Sequence, residues 1–212
     1  VEDPTELLEL AASSLVALLV VGDPLQATTH VDLQLRAAEA GVSCRVLHGV
    51  SITTLVTGAV GLSNYKFGRQ TTFTYPYGNW IATSPLEVVA SNWSQNLHSL
   101  VLLDLDPTGQ GIGDQRPMTP ADAVRSLGMM WHSMQTNEAD GSAEDASATA
   151  FQRSMQTDFL EQSMEAMQVV LCSDMGTPEQ SIVATTVGAL GDETGGRLNC
   201  LIFPASTGEV EE

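Results

Sequence analysis

Basic residues are scarce in this 212-residue sequence: eight Lys plus Arg stand against 26 Asp plus Glu, a formal charge of −18. That sign is wrong for neutralising nucleic-acid phosphates or anionic lipid headgroups. Long apolar runs are missing too, since none reaches the roughly 20 residues that cross a bilayer. The opening Val1-Glu2-Asp3-Pro4 has no basic patch of a secretory signal. A cytoplasmic protein that binds neither nucleic acid nor membrane is expected. Cysteine is sparse: Cys44, Cys172 and Cys200 are odd in number, widely spaced and without a CxxC pair. Neither a disulfide framework nor a zinc knuckle follows from that pattern, and the three read as reduced core thiols. The histidines His30, His48, His98 and His132 give no HExxH-type spacing, so no metal centre is expected. Structural or hydrogen-bonding roles suit all four, with His30 the one to place nearest any chemistry. An initiating methionine is lacking, and Val1-Glu2-Asp3 reads like the middle of a longer chain.

What is present is a globular composition, 43% hydrophobic, enough to bury one or two cores. Asp3-Pro4-Thr5 followed by Glu6, Leu7, Leu8 and Leu10 predicts a short amphipathic helix with acidic residues at its positive end. Leu15 to Val21 is a continuous apolar run stopped by Gly22-Asp23-Pro24, the pattern of a strand buried on both faces of a parallel sheet. Val31 to Ala40 predicts a helix ended by Gly41, and Val42 to His48 a second strand, which together make a βαβ unit. Ser51 to Val60 is a candidate helix, weakened by Gly58 and Gly61. The character changes after Gly61, and the domain boundary is set near residue 64. Beyond it the pattern predicts strand Thr71 to Tyr75, helix Pro85 to Leu97, strand Ser99 to Leu105 and a loop from Asp106 to Pro117. A helix follows from Thr119-Pro120, with Thr119 as cap. Asn137 to Ala148 is too polar to bury and reads as an acidic insertion. A helix from Ala150 to Met167, strand Val169 to Ser173, helix Glu179 to Leu190 and strand Leu198 to Phe203 complete an α/β class chain. The methionines of the later helices, Met129, Met130, Met134, Met155, Met164 and Met167, read as packing.

The most informative stretch is Gly22-Asp23-Pro24-Leu25-Gln26-Ala27-Thr28-Thr29-His30, where a predicted strand gives way to a helix. Ligands of open α/β sheets bind at such carboxyl edges. Gly22 permits positive φ, Pro24 stiffens the turn and Thr28 or Thr29 can cap the next helix. By spacing alone, an ordinary loop before a capped helix and a ligand-binding loop both remain open. The residues also carry a resemblance. Gly22-Asp23-Pro24 with Ala27-Thr28-Thr29-His30, Arg36-Ala37, His48-Gly49-Val50-Ser51-Ile52, Gly61-Leu62, Tyr65-Lys66-Phe67-Gly68 and Leu97-His98-Ser99-Leu100 through Leu103-Asp104 resemble the diphthine synthases. These belong to the tetrapyrrole-methylase-like class. Several motifs in order over residues 15 to 130 are more specific than any single one, and the resemblance resumes from Val169 to Pro204.

The resemblance implies a two-domain α/β fold, residues 1–64 and 65–212, with the first domain truncated at its N-terminus. The family's opening strand and Gly-Leu-Gly-Leu loop have no counterpart here, which implies an incomplete donor pocket. It implies S-adenosyl-L-methionine as methyl donor, leaving as S-adenosyl-L-homocysteine, held in a cleft between domains, and a homodimer. The family's donor-contacting positions fall on Asp23, Gln26, Ser51, Ile52 and Leu103, and, aligning less closely, on Met175 and Asn199. Many family members carry His where Asn199 stands. The acceptor implied is the 3-amino-3-carboxypropyl-histidine intermediate on translation elongation factor 2, in diphthamide biosynthesis. A porphyrinogen-precursor methylase keeps the chemistry and changes the substrate, while an elongation-factor-binding fragment without catalysis keeps the partner. No catalytic side chain is assigned: transfer from a sulfonium needs in-line approach and exclusion of water more than acid, metal or covalent help. The negative surface either steers the enzyme to a basic partner or merely keeps it soluble. Steering requires the association rate with the elongation factor to fall as salt rises, and a rate independent of ionic strength leaves only solubility.

Overall fold

The computed structural model describes residues 3–108, 115–136, 157–208 and 211. The acidic insertion expected at 137–148 lies outside them, as does the start of the helix expected from Ala150. The chain divides into two compact units, Val1–Leu55 and Val56–Glu212.

In the first unit, α1 (Thr5–Ala11) and α2 (His30–Glu39) form where the acidic first turn and the Gly41 stop predict them. Gly41 has a φ of 70°, the left-handed turn that ends α2 at little cost only for glycine. The two strands expected around α2 do not form. Residues 15–21 and 42–48 carry no ladder, and Leu15, Leu19 and Val21 are almost wholly solvent-exposed. An apolar run shows a capacity for two-sided burial, but a parallel strand exists only with hydrogen-bonded neighbours on which that burial can be realised. The expected βαβ unit is therefore corrected to a helix between two unpaired segments without regular structure. Cys44, expected in a core, is exposed for the same reason. Helix α3 (Ile52–Ala59) runs across the junction of the two units.

The second unit holds a five-stranded sheet with the order β1-β2-β5-β3-β4. Its strands are β1 (Thr71–Phe73), β2 (Ser99–Leu103), β3 (Gln168–Ser173), β4 (Ser181–Thr186) and β5 (Asn199–Phe203). β1 and β2 are parallel, joined through α4 (Ser84–Ser94), while β5 pairs antiparallel with both β2 and β3. The register sets Phe73 beside Leu103, and Ser173 beside Asn199. The carboxyl ends of β1, β2 and β3 and the amino end of β5 thus lie along one edge, called here the carboxyl edge.

Helix α5 (Pro120–Gln135) opens on a capping box: the Asp122 N–H donates to Thr119 Oγ1 at 3.1 Å, and the Thr119 N–H donates back to the Asp122 carboxylate at 3.2 Å. Its period brings Ala123, Leu127, Met130 and Trp131 into one core with Leu86 and Val89 of α4 and Val101, Leu171 and Leu201 of the sheet. Phe159 closes that core, its ring 5.2 Å from Trp131 and 5.8 Å from Trp93. Leu127 and Met130, with 1% and 0% exposure, are among its fully buried side chains.

Two readings of this region are corrected. The segment expected as one helix from Glu179 is mostly strand, and only α6 (Val187–Leu190) is helical. Ser181-Ile182-Val183-Ala184-Thr185-Thr186 is dense in β-branched residues and meets a ready antiparallel partner in β3, which outweighs a helical period. The helix expected to reach Met167 is helical over residues 157–160 and ends in a short 3-10 turn, Met164–Ala166. Cys172 and Cys200 are buried as expected and sit directly opposite each other across β3 and β5. The hydrogen bond with Cys172, together with burial, pushes the Cys200 thiol well above its ordinary range.

A tail contact fastens the other end of the sheet. Glu211 accepts from the Ser63 N–H at 2.8 Å and the Gly208 N–H at 3.0 Å, and pairs with Lys66 at 3.3 Å. Its Oε1 also lies 2.9 Å from Nε2 of His98, which is completely buried. Because His98 Nδ1 accepts from the Ala205 N–H at 2.9 Å, the neutral ring carries its proton on Nε2 and donates it to Glu211. Lys66 Nζ also donates to the Ser206 carbonyl. The Ser63 N–H bond first, then the His98 and Gly208 bonds, hold the Glu211 carboxyl down at about 2, below its ordinary 4.5.

Replacing Leu127 with Ala is expected to lower unfolding stability by roughly 2–5 kcal/mol in urea titrations, since it leaves a cavity under α5. The Glu211 contact makes a pH-dependent prediction. A carboxyl whose folded pKa is depressed stabilises fully above its unfolded value and loses that contribution as pH falls from 4.5 towards 2. The melting temperature of Glu211→Gln should therefore lie below wild type at pH 6, and the gap should shrink steadily towards pH 2; a gap that does not change with pH contradicts the charged contact.

Candidate functional site

In the first unit, the residues expected to contact the donor lie on two crossing loops, 22–26 and 48–53. Asp23 organises both. Its Oδ1 accepts from the Leu25 N–H at 2.8 Å, and its Oδ2 lies 2.8 Å from His48 Nδ1 and 3.3 Å from the Gly49 nitrogen. The Leu25 N–H foremost, with His48 and Gly49, holds the Asp23 carboxyl below its ordinary value against the opposing effect of burial, so it is ionised at neutral pH. The loops approach so closely that a Cβ placed on Gly49 would stand 2.4 Å from the Gly22 carbonyl oxygen. Gly22 itself has a φ of 85°, and Ala27 one of 53°, so both turns use left-handed backbone.

Gln26 and Ser51 meet through Thr53, whose hydroxyl lies 3.4 Å from Gln26 Oε1 and 3.0 Å from Ser51 Oγ. Ser51 Oγ also accepts from the Thr53 N–H at 3.2 Å. Ser51 and Thr53 are buried at the start of α3, with Ile52 half-buried between them, while Gln26 is exposed. His30, singled out earlier, places Nδ1 2.9 Å from the Pro24 carbonyl oxygen, which receives its proton and shapes the loop. The partner of Asp23, His48, is 69% exposed at its side chain and was not chosen from the sequence. The pattern put it at a strand end, and only the fold of the loops sets it beside a carboxylate 25 residues earlier.

In the second unit, Leu103, Met175 and Asn199 come to the carboxyl edge. Leu103 is the buried last residue of β2. Met175 is half-buried in the turn after β3, where Asp174 has a φ of 47° and Gly176 one of 83°. Asp174 fixes that turn by accepting from the Leu198 N–H at 2.9 Å and the Arg197 N–H at 3.0 Å, and these bonds lower its carboxyl pKa. Asn199 spends its whole amide on the fold. Its Oδ1 accepts from Ser173 Oγ and the Gly196 N–H, both at 2.8 Å, and its Nδ2 donates to the Met118 and Gly196 carbonyls at 3.3 and 3.1 Å. Those four bonds use its amide hydrogens and oxygen lone pairs, so this side chain braces the carboxyl edge.

Residues that the sequence did not single out complete the edge. Asp104 accepts from the Tyr75 N–H at 3.3 Å, and Tyr75, Arg116 and Asp122 form a linked polar group beside it. Asp104 is legible in the sequence only as the last residue of the motif that begins at Leu97, with no role assigned to it; Arg116 lies in a stretch legible only as loop. A separate cavity of about 290 Å³, lined by Trp93, Leu97, Phe159, Met167 and Phe203 among others, opens at the opposite sheet edge. It is remote from Leu103 and Asn199 by the strand register. Among the described residues no group of three His, Cys, Asp or Glu could hold a metal ion, and no helix is long and apolar enough to cross a membrane.

This arrangement has known counterparts. The profile of the Tetrapyrrole (Corrin/Porphyrin) Methylases matches residues 3–140. A diphthine synthase of Halorubrum lacusprofundi is 31% identical over 218 aligned positions, covering 99% of this chain and 70% of the relative. One of Methanoregula boonei is 41% identical over 129 residues, covering 61% of this chain and 49% of the relative. The matched region is thus about half of that relative's length. A crystal structure of diphthine synthase superposes with a TM-score of 0.72 at 31% identity, covering 99% of this chain and 68% of that one. With the profile spanning more than half of the sequence and a match above 30% identity that covers 70% of the relative, the chain belongs to the diphthine synthase family of tetrapyrrole methylases.

Proposed function

We propose that this protein is an S-adenosyl-L-methionine-dependent methyltransferase that methylates the 3-amino-3-carboxypropyl-histidine intermediate on translation elongation factor 2, in the cytoplasm and as a homodimer. The observation that carries the reading is the pair of crossing loops around Asp23. Two backbone N–H groups and His48 converge on one carboxylate there, with Ser51, Thr53 and Gln26 joined alongside. A loop pair of ordinary connecting function has no need of a buried hydroxyl chain and a backbone crossing that only glycine permits.

These residues fit such a donor. The proposed contacts are Asp23, Gln26, Ser51 and Ile52 in the first unit and Leu103, Met175 and Asn199 in the second. An ionised Asp23 suits a ligand that carries ammonium, hydroxyl or sulfonium groups, and Gln26 keeps its amide nitrogen for a polar edge. Asn199 contributes through its main chain, because its side chain is committed. The donor supplies an activated methyl group on a cationic sulfonium. What the chain adds is orientation and shelter from water, which together account for a large part of methyl-transfer rates. The residues 1–64 and 65–212 are proposed as its two domains.

The diphthine synthases among its relatives favour this acceptor over a porphyrinogen precursor. Replacing Asp23 with Ala removes the acceptor of three hydrogen bonds, and Ser51→Ala removes the hydroxyl at the start of α3. Each is expected to weaken donor binding in calorimetry about tenfold or more, the scale of one charge-assisted contact, with far-UV dichroism unchanged. Unaltered donor affinity in both variants removes the site. Mass spectrometry of elongation factor 2 bearing the intermediate, after incubation with protein and donor, should show additions of methyl groups; a mass that stays the same sinks the function.

A further inference from the structure

The carboxyl ends of β1 and β2 carry a cation that the donor contacts leave unexplained. The Arg116 N–H donates to the Leu105 carbonyl at 2.8 Å, its Nε donates to the Tyr75 hydroxyl at 3.4 Å, and an Nη donates to Asp122 Oδ1 at 2.9 Å. The guanidinium carbon lies 5.2 Å from the centre of the Tyr75 ring. Both supports are themselves fixed. The Tyr75 N–H donates to Asp104, its hydroxyl lies 3.1 Å from the Arg116 carbonyl oxygen and 3.4 Å from Asp122 Oδ2, and Asp122 is the acidic member of the α5 capping box.

The group sits between the two residues of the second unit that mark the carboxyl edge. The Met118 N–H donates to the Asp104 carbonyl at 2.9 Å, next to Leu103, and the Met118 carbonyl accepts from Asn199 Nδ2 at 3.3 Å. Residues 116–118 therefore tie the end of β2 to the start of β5. The guanidinium has five N–H groups and these bonds engage two. Its side chain is 62% exposed, so among the described residues three donors remain in reach of a ligand from a fork whose direction is already set. Exposed ion pairs add little to stability, which makes a purely structural role a poor reason for such a cradle. In a chain with eight basic residues against 26 acidic ones, a cation oriented at this edge is a distinctive charge.

We infer that Arg116, held by Tyr75 and Asp122, binds the carboxylate of the methyl acceptor and thereby selects an acceptor of amino-acid type. A planar guanidinium takes a carboxylate through two parallel N–H···O bonds, which orients it as well as attracting it; a lysine ammonium fixes no such plane. Anchored by its carboxylate, the acceptor has one freedom fewer, and its amine is presented in a limited set of directions. The inference rests on the proposed acceptor.

The test uses two synthetic peptides, one bearing 3-amino-3-carboxypropyl-histidine and one bearing the 3-aminopropyl analogue without the carboxylate, titrated calorimetrically into the protein. Arg116→Ala and Arg116→Lys should each weaken the carboxylate peptide about tenfold or more while binding the analogue as wild type does, with donor affinity unchanged. Tyr75→Phe, which keeps the ring and removes the oxygen that accepts from Nε, should give a smaller loss in the same direction. Arg125→Ala, which removes a like charge from the exposed side of α5, should change neither peptide. Full-strength binding of the carboxylate peptide by both Arg116 variants overturns the inference, and so does an equal loss of both peptides. Wild type that binds neither peptide overturns the acceptor assignment before any substitution is made, so the two failures are distinct.

Discussion

The reversal of β5 is the constraint on which the second unit depends. β5 enters between β2 and β3 and runs against both, with Leu201 facing Val101 on one side and Leu171 on the other. A central strand must satisfy its N–H and C=O groups on two ladders at once, so its register cannot slip by one residue without turning Leu201 and Phe203 from the core. With that register fixed, the amino end of β5 lies where β2 and β3 finish. Asn199 is delivered to the edge that holds Leu103 and the Asp174 turn, and it then bonds Ser173 and Met118 across that edge. The core beneath, from Leu86 through Leu127 to Phe159, is the apolar burial that holds the order in place.

The sequence was legible where local chemistry and tertiary structure agree. Thr119-Pro120 with Asp122 states a helix start in three residues, and α5 begins there with both capping bonds made. Gly41 stops α2, and the apolar run from Ser99 is a buried strand. It was illegible where a segment's state is decided by a partner far away. Residues 181–186 read as helix by period but pair with β3, because β-branched side chains pack well on a pleated surface when an open strand edge is offered. Residues 15–21 show the converse: their composition is that of an interior strand, yet no described strand pairs with them and most of their side chains stay exposed. Hydrophobic pattern records what a segment can bury and leaves open what it will be buried against.

The site follows the same division. Asp23, Gln26 and Ser51 were named through motif resemblance, and the crossing of their loops brings them into one hydrogen-bonded group. His48 and Thr53, which complete that group, carry no spacing signal, since the link from Asp23 to His48 spans 25 residues and exists only after the loops cross. Asn199 illustrates how a position and a role separate. The resemblance put Asn199 among donor contacts, while the structure commits its amide to Ser173, Gly196 and Met118.

The motif residues themselves sort into two physical kinds. Tyr65-Lys66-Phe67-Gly68 and Leu97-His98 carry the family resemblance as Gly22-Asp23-Pro24 does, yet Lys66 and His98 are occupied with Glu211 and the tail. Phe67 packs its ring 5.3 Å from His98. A Cβ on Gly68 would stand 2.2 Å from Asn92 Oδ1, so this glycine is required by the close pass of a side chain that also bonds Arg69. These residues build the end of the sheet away from Leu103. A buried His98 that must keep both ring nitrogens bonded tolerates few replacements, which is reason enough for a recurring motif without any contact to a ligand. The loops around Asp23 differ because their polar atoms converge beside an exposed Gln26. Membership of a family motif and participation in chemistry are therefore separable in this fold.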